Sequence, residues 1–565
     1  MKKMLLLSVV LSLAFLAASC SRAVPPPAPS ETRANSGNAA AGEIYVSPNG
    51  DDATASGAID APYKSINAAL ASAQPGDTII LRGGTYREGV NVRVRTPNIT
   101  IKSHEGEWAV IDLTQYDRGA EEDSGVYFDV DSSGGKLQRV EVVGGWYSVC
   151  LETKWDWGNP ADHAGASDIT IEDCKLHDSR YDVIKIKPNC DNVTIRNNEI
   201  YNSGQAFAGR PHNGEDNAEG IDNVNGGNMT VRGNYIHDIC SNAVYAKGGA
   251  VDALIENNHI ERAYGGGILV GFDTSPEFFD LAANPEYYEN IRGVVRDNLI
   301  ADTGWEGVGL YGSKDAQIYN NTLVNVANGG QYHSAIYFGL TYQDWEDGAG
   351  RPANANPSIH HNIVSQPNSF VLPMIEIRYA DELGGLSALE GSPTMHDNCY
   401  FIVGKKTAFT DNRPGRSLAN ADLSAWQSHI GGDSGSLEAD PALDADYLPT
   451  NPQCAGMGYT PSGASNPPAT AAATMATITA TTTRPATLKP TTAPGQRSYN
   501  IADFYAESGQ LSLTNGDVIT VGKRQYRVVS DYTMEYWSQS SLDAAISWWM
   551  EYLDSCAESG VVVEM

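Results

Sequence analysis

Positive charge is scarce in this chain: 38 lysines and arginines face 69 aspartates and glutamates, for a net charge of −31. That balance argues against nucleic acid as a partner and against electrostatic adhesion to anionic lipid. A polyanionic substrate would need metal ions or local lysines to invert the sign where it binds. Cysteine is also sparse. Eight in 565 residues do not make the disulfide framework of a small exported domain. Past the first twenty residues, no stretch reaches the roughly 20 consecutive apolar residues that a membrane-spanning helix needs. Through the middle of the chain the 3.6-residue helical period is missing as well, and short alternating runs such as VIKIK, GILVG and SAIYF stand in its place.

What the middle of the chain does have is a repeat. Eight seven-residue blocks share one pattern: TIEDCKL (170–176), TIRNNEI (194–200), TVRGNYI (230–236), LIENNHI (254–260), VVRDNLI (294–300), QIYNNTL (317–323), SIHHNIV (358–364) and TMHDNCY (394–400). Their starts are 24, 36, 24, 40, 23, 41 and 36 residues apart, so the unit is about 24 residues and the longer steps carry inserts. A repeat of that length means stacked units, none of which can bury its apolar face alone. The fifth position is Asn in seven blocks (Asn198, Asn234, Asn258, Asn298, Asn321, Asn362 and Asn398) and Cys174 in the first. An Asn at one place in every coil can bond to the coils above and below it while its turn takes a left-handed conformation. The expected fold is all-β: a right-handed parallel β-helix of about 24 residues per coil.

The termini divide the rest. Residues 1–20 have the form of a signal peptide, with Lys2 and Lys3, an apolar run from Met4 to Phe15, and small residues before Cys20. Ala17-Ala18-Ser19-Cys20 resembles a bacterial lipobox, which makes Cys20 the candidate lipidation site; ordinary cleavage near Ala18 or Ser19 is the alternative. The chain is then expected to be an exported monomer, a cell-envelope or surface lipoprotein or otherwise secreted, meeting membrane only through that N-terminal anchor. Residues 21–42 are a Pro/Ala/Ser tether. Residues 43–90 form an N-terminal cap with a helix expected over 65–73 to cover the first coil, and 91–458 form the β-helix. Residues 459–497 are a Thr/Pro/Ala linker. Residues 498–565 are a small α+β module, with a helix over 541–558 carrying Trp548, Trp549 and Tyr552, read as core aromatics. Cys150, Cys174 and Cys240 read as packing residues, and a Cys399–Cys454 bridge is open.

Aligning the strand ahead of each Asn block gathers charge. The runs begin at Asp182, Glu219, Asn242, Gly266 and Glu306, with apolar residues in the third column. The first, fourth and sixth columns hold Asp182 and Glu219; Lys185 and Asp222; Lys187 and Lys247. Coils stack about 4.8 Å apart, so these groups are near neighbours on one surface. Asp216 lies at the base of the adjoining insert, 203–218; the other long inserts are 272–290 and 341–357. Acidic oxygens on successive coils suit a hard cation such as Ca²⁺. A cation beside a lysine would attract a sugar carboxylate, acidify the proton α to it, and ready the lysine as a base. An exposed ion-pair ladder is the structural alternative.

The segments YVSPNG, APYKSINAAL and PGDTIILRGGTY resemble the N-terminal cap of bacterial β-helix polysaccharide enzymes, and YDVIKIK, AEGIDNV and NAVYAKGG resemble the site of the pectate lyase 9 family. The resemblance runs from residue 43 to about 458. It implies Ca²⁺ held by Asp182, Glu219 and Asp222, with Asp216 adjoining, and Lys247 as the base in β-elimination of a uronate-containing glycan; Lys185 and Lys187 are the alternative bases. Two positions depart from the family pattern. Glu219 replaces Asp, and Lys247 is shifted by one residue, which in a strand reverses the face presented. Against the lyase stand a hydrolase of a neutral polysaccharide, pairing Asp222 with Glu219 or Glu306, and a non-catalytic carbohydrate-binding surface protein. A polygalacturonase-like hydrolase would need Gly-His-Gly and Arg-Ile-Lys, and neither occurs. The pairs His177-Asp178 and His237-Asp238 are expected to stabilise turns rather than to hold metal.

Overall fold

The first three residues of each block are a strand, the fourth and fifth are a corner, and the last two begin a second strand. In the computed structural model, Thr194–Arg196 and Glu199–Tyr201 flank such a corner, where Asn197 has φ 56°. The fourth position is left-handed in every coil: Asp173, Asn197, Gly233, Asn257, Asp297, Asn320, His361 and Asp397. Asn, Asp and Gly dominate there because they reach that conformation most cheaply. The structure describes residues 42–461 apart from 115–122, 156–162, 205–216, 330–332, 343–349 and 368–372, together with parts of 498–564.

Repeating the corner produces three parallel sheets of 12 strands each. Along each sheet, strands follow one another in coil order, and their pairing is parallel except at the C-terminal end of one sheet. Inside, columns of Ile, Val and Leu are fully buried, as with Ile171, Ile195, Val231, Ile255, Val295, Ile318 and Ile359. The Asn ladder fills one corner. Asn234 donates its backbone N–H to Asn258 Oδ1 (3.0 Å), and Asn258 donates likewise to Asn298 Oδ1 (3.0 Å). Each side-chain amide also donates to a carbonyl of the preceding coil, as Asn258 Nδ2 does to Val231 O at 3.0 Å. Cys174, which stands where an Asn would, receives the ladder through its N–H to Asn198 Oδ1 (2.9 Å). The other end is closed by Asp433, which accepts from Asn398 Nδ2 at 3.1 Å.

Both ends of the stack are covered. Helix Ile66–Ser72 is N-capped by Ser65 and buries Ile66, Ala69 and Leu70. Helix Leu423–Ile430 is capped by Asp422 and buries Leu423, Trp426 and Ile430 against the last coils, with Trp426 stacked on Phe409 at 5.4 Å. Strand Phe409–Asp411 takes the antiparallel partner Leu418–Ala421, which ends that sheet. In the C-terminal module the described strands form a four-stranded and a two-stranded sheet. Trp549 is buried there, while Trp548 and Tyr552 lie outside the described residues. Cys20 and the rest of residues 1–41 also lie outside them.

Cys150, Cys174 and Cys240 are buried packing residues. Cys399 and Cys454 meet with sulfurs 2.7 Å apart in a buried pocket, tying the terminal segment to a coil 55 residues earlier. Air oxidation is expected to join them and to stabilise that end by about 2–4 kcal/mol. Non-reducing peptide mapping checks this: two unlinked peptides from an oxidised sample would exclude the bridge.

Candidate active site

The register aligns the columns read from the sequence. Ile184 pairs with Ile221 and Lys185 with Asp222; Asp222 pairs in turn with Tyr245, and Val224 with Lys247. Because the side-chain period is two, Lys185, Asp222 and Tyr245 share one outward column, and Lys187, Val224 and Lys247 share the next outward one. Lys247 is therefore on the same face as Asp222. The expected reversal of face does not occur, because Lys247 stands two residues beyond Tyr245 in one strand, Val244–Lys247.

Three carboxylates converge at the head of these strands. Asp182, Glu219 and Asp222 are each at most 2% exposed, and ligand oxygens from all three lie within 4.8 Å of one another. Asp182 Oδ1 accepts from the Glu219 N–H at 2.9 Å, and Glu219 Oε1 accepts from Ser241 Oγ at 2.9 Å. Asp182 Oδ2, Glu219 Oε2 and Asp222 Oδ1 are buried and accept no hydrogen bond. Lys185 Nζ reaches into the group, bonding Asp222 Oδ2 and lying 3.3 Å from Asp182 Oδ2. Burial pushes the Asp182 carboxyl well above its ordinary value; Lys185 opposes this, and the charges of Asp222 and Glu219 add to it. Burial raises Glu219 as well. Burial works to lower Lys185, but the Asp222 and Asp182 carboxylates overcome it and hold the ammonium charged.

Beside this cluster opens a cavity of about 570 Å³, lined by Tyr147, Lys185, Lys187, Asp222 and Lys247, with Phe278 from the 272–290 insert. Lys187 is held by both oxygens of Glu152 at 3.1 Å. Lys247, 9% exposed, donates to the carbonyl of Asp273 at 3.3 Å and lies 4.3 Å over the Tyr245 ring. Among the described residues, it is the one of the three lysines that makes no carboxylate ion pair. Trp155 bridges to the insert by donating Nε1–H to Glu277 O at 2.7 Å.

Several contributors escaped sequence reasoning. Tyr147 and Glu152 sit in a coil ahead of the first Asn block, where no repeat advertises them. Glu289 is fully buried, and desolvation pushes it up to about 7. It accepts from the Gly248 N–H at 2.9 Å and lies 3.4 Å from buried Arg351, fixing the turn directly after Lys247. Asp216 lies outside the described residues. Phe279 and Tyr287 pack edge-on at 4.6 Å under Arg351, so these insert aromatics hold loops together. His177 and His237 bond the adjoining Asp178 and Asp238 at 2.9 and 2.6 Å and stack with Tyr201, a turn-stabilising arrangement.

A three-sheet parallel solenoid with a polar cleft on one face is a right-handed parallel β-helix. Residues 44–243 match the family model described as "Pel9A-like, right handed beta helix region". The matched part contains Asp182, Glu219 and Asp222 and stops four residues before Lys247. A pectate lyase PEL9 of Emericella nidulans is 40% identical over 98 residues, covering 16% of this chain and 22% of that protein. The chain thus matches under a quarter of that relative's length. Among solved structures, pectate lyase Pel9A is 16% identical over 60% of this chain and 79% of its own, with a TM-score of 0.41. The A-module of the Azotobacter vinelandii mannuronan C-5 epimerase AlgE6 is 15% identical over 66% and 94%, with a TM-score of 0.42.

Proposed function

We propose that the chain is an exported, lipid-anchored polysaccharide lyase that cleaves a uronate-containing glycan by β-elimination. The observation that carries this reading is the convergence of three buried carboxylates, each with an oxygen lacking a hydrogen bond, beside a lysine-lined cavity. Buried carboxylates without partners are costly unless a cation or proton satisfies them. An all-oxygen donor set suits Ca²⁺, and Asp182, Glu219 and Asp222 would hold it. When bound, the ion would neutralise the substrate carboxylate and so make the proton α to it more acidic. Lys247, in its neutral form, would take that proton. The electron pair then forms the ring double bond, the bond to the leaving sugar oxygen breaks, and that oxygen takes a proton from solvent water. Lys187, pinned by Glu152, would contribute charge for the polyanion, and Phe278 a wall of the cleft.

The hydrolase reading fares less well. Glu219 and Asp222 oxygens are within 4.8 Å and almost wholly buried, closer than the roughly 5–9.5 Å across which glycosidase carboxylates work. Glu306 is three coils beyond Glu219 in its column, about 14 Å at the coil spacing.

The primary test is ultraviolet absorbance of unsaturated product from uronate polysaccharides, with Ca²⁺ or with chelator. A calcium-dependent rise on one substrate is expected; a flat trace on all of them, from folded protein, would remove the lyase reading. A second prediction concerns the cluster itself. Lys185→Met is expected to cost about 3–5 kcal/mol in chelator, because it strands buried carboxylates. Ca²⁺ should recover much of that loss by binding the folded state. Equal loss of melting temperature with and without Ca²⁺ would show that the cluster takes no cation.

A further inference from the structure

The third position of the block reads Glu172, Arg196, Arg232, Glu256, Arg296 and Tyr319 along the stack, and then becomes His360 and His396. Pairing of Ser358–His360 with Thr394–His396 sets these two in register, their rings stacked at 4.7 Å. His361, in the left-handed corner position, turns its ring perpendicular to both. Its Nδ1 is 3.0 Å from His360 Nδ1. Donor nitrogens of all three histidines lie within 4.8 Å of one another. Asp397 completes the group, with Oδ2 2.9 Å from His396 Nδ1 and 4.0 Å from His361 Nε2.

Two like nitrogens at 3.0 Å cannot both carry protons, so one of them is an unprotonated acceptor that could turn its lone pair to an ion. All three rings are partly exposed, leaving room for a rotation about χ2 that turns His360 and His396 onto one ion. Imidazoles with one carboxylate select a borderline transition metal and not Ca²⁺ or Mg²⁺.

We propose that His360, His361, His396 and Asp397 form a transition-metal site of the Zn²⁺ class, separate from the carboxylate cluster. The site lies on a different corner, on the coils four and five steps past that of Asp222. Its place gives it a structural role. The Asp397 N–H donates to Ser434 O at 3.0 Å and the Gly458 N–H to His361 O at 2.7 Å, so the terminal segment rests on the same two turns. A bound ion would clamp these coils together beneath it.

The test uses the full chain without a polyhistidine tag, with excess Ca²⁺ present to satisfy the carboxylate cluster. Co²⁺ is expected to give the visible absorption of a tetrahedral nitrogen–oxygen site, and one equivalent of Zn²⁺ should displace it and raise the melting temperature. His396→Ala and His361→Ala should abolish the band, while Asp222→Asn keeps it. Should an alanine chain fail to fold, His361→Gln replaces it, since that side chain is over one-third exposed. No band in the parent chain, or a band that survives both histidine substitutions, would overturn the site.

Discussion

Lys247→Ala is expected to lower the rate of glycan cleavage by about 10²- to 10⁴-fold, the usual contribution of a general base, while leaving the chain folded. The expectation rests on how the three lysines are bound. Lys185 is locked between Asp222 and Asp182 and held charged, so it has no lone pair to offer. Lys187 is gripped by Glu152 through both carboxylate oxygens. Lys247 has a carbonyl and an aromatic face as neighbours, which orient the amine toward the cavity. Loss of a base lowers kcat, whereas loss of a charge that only binds substrate raises KM. Lys187→Ala should therefore act on KM. The reverse pattern, with kcat falling in Lys187→Ala and not in Lys247→Ala, would move the base to Lys187.

The column arithmetic was legible because the fold is periodic. Once Ile184, Ile221 and Val244 are recognised as one inward column, every neighbouring side chain has its face and its height assigned. Asp222 and Lys247 follow as outward residues, whereas Asp182 and Glu219 stand two positions ahead of Ile184 and Ile221, before the strands begin, and alternation alone does not place them. What periodicity does not encode is the contact between a coil and an insert. Glu289 and Arg351 meet across 62 positions of chain, and Trp155 reaches Glu277 across 122, from segments where no block recurs. The apparent displacement of Lys247 is settled by register: the lysine lies two residues beyond Tyr245 in its strand and faces the cleft. Pairing decides the face, and pairing is set by the apolar columns inside.

The same periodicity predicts where the solenoid is most easily broken. Asn258→Ala is expected to cost roughly 4–6 kcal/mol, since each buried group left without its partner loses about 1–3 kcal/mol. Its carboxamide serves three coils. Oδ1 accepts from both the N–H and Nδ2 of Asn234, and Nδ2 donates to Val231 O and to Asn298 Oδ1. Water cannot replace these bonds, because Asn234, Asn258 and Asn298 are all but fully buried. The stack supplies its own control. Asn192 also bonds coil to coil, to Asp168 and Asn228 at 3.0 and 3.1 Å, but it does so in solvent and with φ 58°. Asn192→Gly keeps that backbone conformation available and should cost no more than about 0.5 kcal/mol. Urea denaturation followed by circular dichroism separates the two. A ladder that merely decorates the corner would give both substitutions the same small shift in midpoint. A ladder that carries the corner would also split the transition in Asn258→Ala, because a stack held by nearest-neighbour contacts loses cooperativity where one contact fails.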